Sequence, residues 1–233
     1  KDAAEAWQRE NRDKLTKLLR IPRYEVTSSK GESALRKPFW IADTRLKIGG
    51  YWTVPATVFE PEKKQAVAPV LLIADAGRGS QVAEVQRLLS AGHRVIAADP
   101  LLWGESKVGA QDPDYVYPLF IASVGERPLG IQAAQIAAIA RWASADESLP
   151  IEIVAIGPRA ATAALVATAV EPRAIGTVEL AESLASFHEL LERDVAVEAM
   201  PELFAFGLLC EFDVPQLVAL AAMGLYILAY SLW

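Results

Sequence analysis

A single cysteine, Cys210, stands in a chain of 233 residues. No internal disulfide can form, and nothing has the paired cysteine and histidine spacing of a zinc site. Alone, Cys210 reads as a small buried hydrophobe. Histidine is almost as scarce, with only His93 and His188, so few residues are available as a general base. Positive charge is outweighed: 23 basic residues against 29 acidic ones give a net charge of -6 and a pI of about 5.1. That balance excludes a bulk electrostatic footprint for nucleic acid or an anionic membrane. Long hydrophobic runs are missing too. The most apolar stretch, VALAAMGLYILAYSLW, is shorter than the ~20 residues that span a bilayer, and it contains Ser231. It reads as the end of a buried helix followed by a buried strand. The opening KDAAEAW carries no charged segment followed by an apolar core, which leaves the compartment open. No motif calls for a metal or a cofactor, and there is no internal repeat or low-complexity linker.

What is present is the composition of a globular protein, 52% hydrophobic and 22% charged, with chain enough for one sizeable α/β domain over residues 1–233. Residues 1–20 carry apolar positions at helical spacing among many charges, the pattern of an amphipathic surface helix. Residues 38–61, PFWIADTRLKIGGYWTVPATVFEP, alternate around Gly49 and Gly50 and predict two or three antiparallel strands joined by tight turns. From residue 69 onward, fully apolar runs alternate with helical stretches. APVLLIADAG, HRVIAADP, IEIVAIG, AIGTVEL and YILAYSLW predict strands. VAEVQRLLSAG, LGIQAAQIAAIARWASA and AATAALVATAV predict the intervening helices. Strands buried on both faces with helical crossovers imply parallel pairing. The expected fold is a doubly wound, mostly parallel α/β sheet with an antiparallel N-terminal edge.

Between HRVIAADP and the long alanine-rich helix lies LLWGESKVGAQDPDYVYPLFIASVGERP, polar and aromatic, at the carboxyl end of a strand. Ligands sit at such places in open α/β sheets; an ordinary surface loop has the same composition.

The stretch IEIVAIGPRAATAAL has the outline of a strand, a sharp small-residue turn and a helix. Together with VPATVFEP before APVLLIADAG, AGHRVIAADPLLWGES, GERPLGIQAAQIAAIARWA, AESLASFHELL and DVPQLVALAA, it resembles the α/β-hydrolase fold over roughly residues 40–225. Within that fold the order of segments is similar to the acetyl xylan esterase and dienelactone-hydrolase-like branch. The resemblance implies a nucleophile elbow of the form G-x-S-x-G, whose small flanks relieve crowding at a tight strand-to-helix reversal. Here the frame is Gly157, Pro158, Arg159, Ala160 and Ala161. The small flanks remain and serine is replaced by arginine, which stays protonated and cannot attack an acyl carbon.

The resemblance also implies an acid after one late strand and a histidine after the next, and the chain stops at Trp233, about where the acid-bearing strand ends. Neither histidine matches the family position. His93 begins a strand at the end opposite the site, and His188, in SFHELL, reads as a helix-surface residue on the site side. An oxyanion hole would take one N–H from Ala160 and a second from Asp75-Ala76-Gly77-Arg78-Gly79-Ser80, where glycines keep the loop permissive; that loop also reads as a plain strand-to-helix connection. Ser80 reads as a helix cap. Ser106 sits in the WGES turn, and Asp99 reads as the residue that fixes this turn by local hydrogen bonds.

Three functions are consistent with these residues. The first is a degenerate α/β-hydrolase-fold domain, possessing no Ser-His-Asp apparatus of its own, that serves as a ligand-binding or scaffolding domain, alone or beside a catalytic domain. The second is an active carboxylic ester hydrolase acting on acetylated carbohydrate, with residues lying outside this chain or supplied by a partner. The third is a dimerisation domain that pairs through its apolar C-terminal edge strand. The resemblance alone points to export to a periplasmic or extracellular location. Arg159 stands where helix N-terminal N–H groups already favour negative charge. It therefore predicts a facing negative group, either an internal carboxylate, with Asp75 or Asp99 as partner, or a small anionic or carbohydrate ligand held near Arg159, Ala160, Gly77 and Arg78.

Overall fold

The runs that lack polar residues are the ones covered on both faces. The computed structural model describes residues 2–63, 66–108, 115–147, 149–221 and 226–230. It opens on α1 (Asp2–Leu18), followed by β1 (Val26–Arg36), β2 (Phe39–Ile48) and β3 (Trp52–Pro61). Strands and helices then alternate: β4 (Val70–Ala74), α2 (Val82–Ser90), β5 (Val95–Ala98), α3 (Val116–Ser123), α4 (Pro128–Glu147), β6 (Ile151–Ile156), α5 (Pro158–Val170) and β7 (Ile175–Ala181). Three helices, α6 (His188–Glu192), α7 (Leu208–Glu211) and α8 (Val214–Ala221), lead to β8 (Tyr226–Tyr230). Among the described residues the strands form one eight-stranded sheet in the order β1-β2-β3-β5-β4-β6-β7-β8. β1, β2, β3 and β5 pair antiparallel, and β5, β4, β6, β7 and β8 pair parallel. The sheet is thus doubly wound and mostly parallel, with an antiparallel N-terminal edge.

Burial divides the residues of β6 by side. Ile151, Ile153 and Ala155 join the larger core under α4 and α5, while Val154 joins a smaller one under α2. Every residue of α5 from Ala160 to Ala169 is buried, as expected of a helix that is apolar all round. Alanine at most of these positions lets α4, with its own Ala133, Ala134, Ala137 and Ala140 buried, pack closely beside it. Among the described residues no helix is long and apolar enough to cross a membrane.

Three elements differ from expectation. β1 extends the antiparallel edge, although VTSSKGESALR has neither a clean alternation nor an apolar face; it is held by pairing with β2 and stays largely exposed. The stretch after HRVIAADP contains the helix α3, VYPLFIAS, which lies against α4 and buries only Pro118; residues 109–114 of the stretch lie outside the described residues. Cys210 is exposed, not buried, because the short α7 buries only Leu208. The expected last strand is described as Tyr226–Tyr230, and residues 231–233 lie outside the described residues.

Candidate functional site

β6 ends at Ile156 and α5 starts at Pro158, so one residue, Gly157, makes the reversal, with φ 99° and ψ 155°. That region of backbone space is essentially glycine's alone. Pro158 follows at the first helical position, where its fixed φ suits the helix and its missing N–H costs nothing. Ala161 closes the first turn through its N–H to Gly157 O at 2.9 Å and is buried. A Cβ on Gly157 would lie 2.5 Å from Asp75 Cγ. Gly157→Ala is therefore expected to lower the unfolding free energy by about 1–3 kcal/mol, read as a lower urea midpoint with an unchanged slope.

Asp75 is brought to the elbow by the sheet. The register Ala74↔Ile156 continues into a bond from Asp75 N–H to Ile156 O at 3.0 Å. This fixes the carboxyl group over the N-terminus of α5. Asp75 Oδ1 accepts the Ala160 N–H at 2.6 Å and Oδ2 accepts the Arg159 N–H at 3.1 Å. Two of the orphan donors of the helix are thereby satisfied by a negative group, as the helix dipole favours. Burial nevertheless pushes the Asp75 carboxyl up to about 6, against the pull of these two N–H groups and of the Arg159 guanidinium; Glu202 adds to the rise.

The Arg159 side chain turns inward. Its Nε donates to Glu202 Oε1 at 2.6 Å, with the arginine side chain 12% exposed and the glutamate wholly buried. Neither Asp75 nor Asp99 is its ion-pair partner: the Asp75 oxygens are taken by backbone N–H groups, and Asp99 is engaged elsewhere. Glu202 comes from a 3-10 turn, Pro201–Phe204, that folds over the elbow. Its Oε1 also accepts from Trp103 Nε1 and Gln132 Nε2, each at 3.3 Å. Gln132 donates to Leu101 O at 3.0 Å as well, and Gln135 Oε1 accepts the Leu101 N–H at 2.8 Å. A buried polar network thus ties the elbow to α4 and to the LLWGES segment.

The loop after β4 is drawn to the other side. Asp99, 1% exposed, accepts the Arg78 N–H at 2.7 Å and the Glu105 N–H at 3.0 Å, and it forms an ion pair with the Arg78 guanidinium. Ser106 Oγ donates to Asp99 O at 2.7 Å. Asp99 therefore holds the WGES turn and the Gly77-Arg78 loop together. Gly77 is at φ 82°, and a Cβ there would lie 2.5 Å from Gly104 Cα. The Gly77 N–H is bonded to Ala74 O at 2.9 Å. So the N–H groups of Gly77, Arg78 and Ala160 all have internal acceptors. Of the four residues expected to gather round an anion, Arg159 and Ala160 share the filled elbow, whereas Gly77 and Arg78 belong to the Asp99 side.

Ser80 does not cap α2. The N-cap residue is Gln81, without a side-chain cap, and Ser80 Oγ donates back to Gly77 O at 2.7 Å. His93 Nδ1 lies 2.9 Å from Ala68 O, a structural contact at the start of β5. His188 opens α6 on the surface; its N–H donates to Ser186 Oγ at 3.1 Å. No histidine and no serine hydroxyl is bonded to Arg159 among the described residues.

No protein-family model matches this sequence, and no curated protein matches it. Solved structures do resemble it. One is a Bacteroides fragilis NCTC 9343 protein to which acetyl xylan esterase activity has been ascribed, with a TM-score of 0.78 and 13% identity over 96% of this chain and 67% of that one. Another is a glucuronoyl esterase from Solibacter usitatus, with a TM-score of 0.64 and 13% identity over 97% and 75%. A third is acetyl xylan esterase 1 from Thermoanaerobacterium sp. JW/SL YS485, with a TM-score of 0.58 and 15% identity over 93% and 71%. At such identities it is the fold that is shared. The chain has the α/β-hydrolase fold found in acetyl xylan and glucuronoyl esterases.

Proposed function

We propose that this chain is a catalytically silent α/β-hydrolase-fold domain, related to acetyl xylan esterases, that works as a binding or scaffolding domain. The observation that carries this reading is the occupied elbow. The residue at the nucleophile position is an arginine bonded to buried Glu202, and the Ala160 N–H that would stabilise an oxyanion is held by the Asp75 carboxylate at 2.6 Å. Acyl transfer needs a nucleophile beside a base and free donors where charge develops. Here an internal carboxylate stands at the donor, and the guanidinium is committed to another.

The purified chain is expected to hydrolyse p-nitrophenyl acetate no faster than a heat-denatured control and to take up no fluorophosphonate label by intact mass. Loss of a triad member alone leaves roughly 10³- to 10⁴-fold over water from the oxyanion hole and binding, and here that hole is filled as well. Saturable turnover that survives repurification would instead support an active ester hydrolase. Arg159→Ser, which rebuilds the serine elbow, is expected to remain unlabelled, since the new hydroxyl would face Glu202 with no histidine beside it. Labelling of that variant would mean that His188, or a histidine from elsewhere, reaches the elbow.

A further inference from the structure

On the face of the sheet opposite the elbow network, α2 covers the parallel strands and stops short of the antiparallel edge. Its buried Val85, Leu88 and Leu89 pack on Val70, Leu72, Val95 and Ala97. The pairings Ile41↔Phe59 and Thr57↔Ala97 put the side chains of β2, β3 and β5 on this same face, and Phe39 and Phe59 reach the edge of the same cluster. What remains between α2 and this edge is a groove of about 850 Å³, within the range of small-molecule sites. Phe39, Ile41 and Phe59 are only half-buried in it, and Val82, in the first turn of α2, is 62% exposed.

The charges in the groove are unequal in their commitments. At the end near Asp99, Arg78 is paired with Asp99 and with Glu105 at 2.9 Å, and its Nε donates to Thr57 Oγ1 at 3.3 Å. Thr57 Oγ1 in turn donates to Asp43 Oδ1 at 2.9 Å. β3 carries Thr57 and Phe59 on this face about 7 Å apart, so the aromatic portion lies one step further along the groove. Beside Phe39 stands Arg36, exposed and without an ion pair among the described residues. The groove therefore offers aromatic and aliphatic walls and one uncommitted positive charge.

We infer that this groove binds a small amphipathic acid, with a flat apolar body between Phe39 and Phe59 on one side and Val82 and Leu89 on the other, and a carboxylate on Arg36. A ring system fits the walls because aromatic side chains favour stacked or edge contacts. A carboxylate fits the fork of a guanidinium in two parallel hydrogen bonds. The site shares none of Asp75, Arg159, Ala160 or Glu202, and it stands whether or not the elbow is silent.

Titration calorimetry of the intact chain with 2-naphthoate, and with the neutral 2-naphthamide, tests this directly. One saturable site for 2-naphthoate is expected, with the amide bound about tenfold or more weakly, the scale of one charge-assisted hydrogen bond. Arg36→Gln should remove most of that difference, and Val82→Trp or Gln86→Trp, each at an exposed position of α2, should fill the groove and abolish binding of both probes. Unchanged urea midpoints would show that these variants fold. Absence of saturable binding to the native chain would overturn the inference, as would equal affinity for acid and amide, or binding that survives both tryptophan variants.

Discussion

Glu202→Ala is expected to lower the unfolding free energy by about 3–5 kcal/mol, the usual cost of removing one partner of a buried ion pair. Glu202 Oε1 receives Arg159 Nε, Trp103 Nε1 and Gln132 Nε2, so its loss strands Trp103 Nε1 and the Arg159 guanidinium, which is charged and only 12% exposed, while Gln132 Nε2 keeps Leu101 O. Glu202→Gln keeps an acceptor for them and should cost less. The double variant Arg159→Met/Glu202→Leu leaves no uncompensated charge at the elbow and should recover the part of the loss that comes from the stranded guanidinium, because apolar replacement of a buried pair is often neutral or better, while Trp103 Nε1 still lacks its acceptor. Urea denaturation at neutral pH measures all three. If the double variant is as unstable as Glu202→Ala, the pair is not the unit that holds the elbow closed.

That pair shows where the sequence could be read and where it could not. The parallel strands were legible because VLLIA and VIAA have no polar position and so had to be buried on both faces. β1 was not, since a strand of Ser, Lys, Gly and Glu is specified by its pairing with β2 and not by its own pattern. The elbow was legible as a steric frame around Arg159, and the helix N-terminus beside it argued for a facing negative group. The identity of that group was hidden. Glu202 lies 43 residues further on, in AMPELF, and only the path of two successive 3-10 turns brings it to the elbow. The one available signal was an acid inside an otherwise apolar run. Asp75 was placed at the correct strand end but in a different role. Its N–H bond to Ile156 O aims the carboxylate at two backbone N–H groups, which leaves the guanidinium to Glu202. Asp99 is not Arg159's partner because its oxygens are taken by the WGES turn and Arg78.

The pH dependence of stability is expected to carry a distinct contribution from Asp75. Its carboxyl titrates at about 6 in the folded chain against 3.8 ordinarily, so between these values the folded state holds a proton that the unfolded state has released. The unfolding free energy then falls as pH rises, by about 1.4 kcal/mol per pH unit. The contribution is fully present below about pH 4 and lost by about pH 7, a total of about 3 kcal/mol. Asp213 acts in the opposite sense. Burial works against its charge, but hydrogen bonds from Ser186, Phe187 and Val214, with the His188 charge, hold its carboxyl below the ordinary range, so stability from that group is lost as pH falls. The raw curve therefore mixes the two, and the informative quantity is the difference between the native chain and Asp75→Asn. Measured by urea denaturation from pH 4 to pH 7.5, the native chain should lose about 3 kcal/mol relative to the variant, with most of the change between pH 4 and 6. A flat difference would mean that the Ala160 and Arg159 N–H groups stabilise the carboxylate enough to offset its burial, and that the Asp75 carboxyl ionises as it would in water.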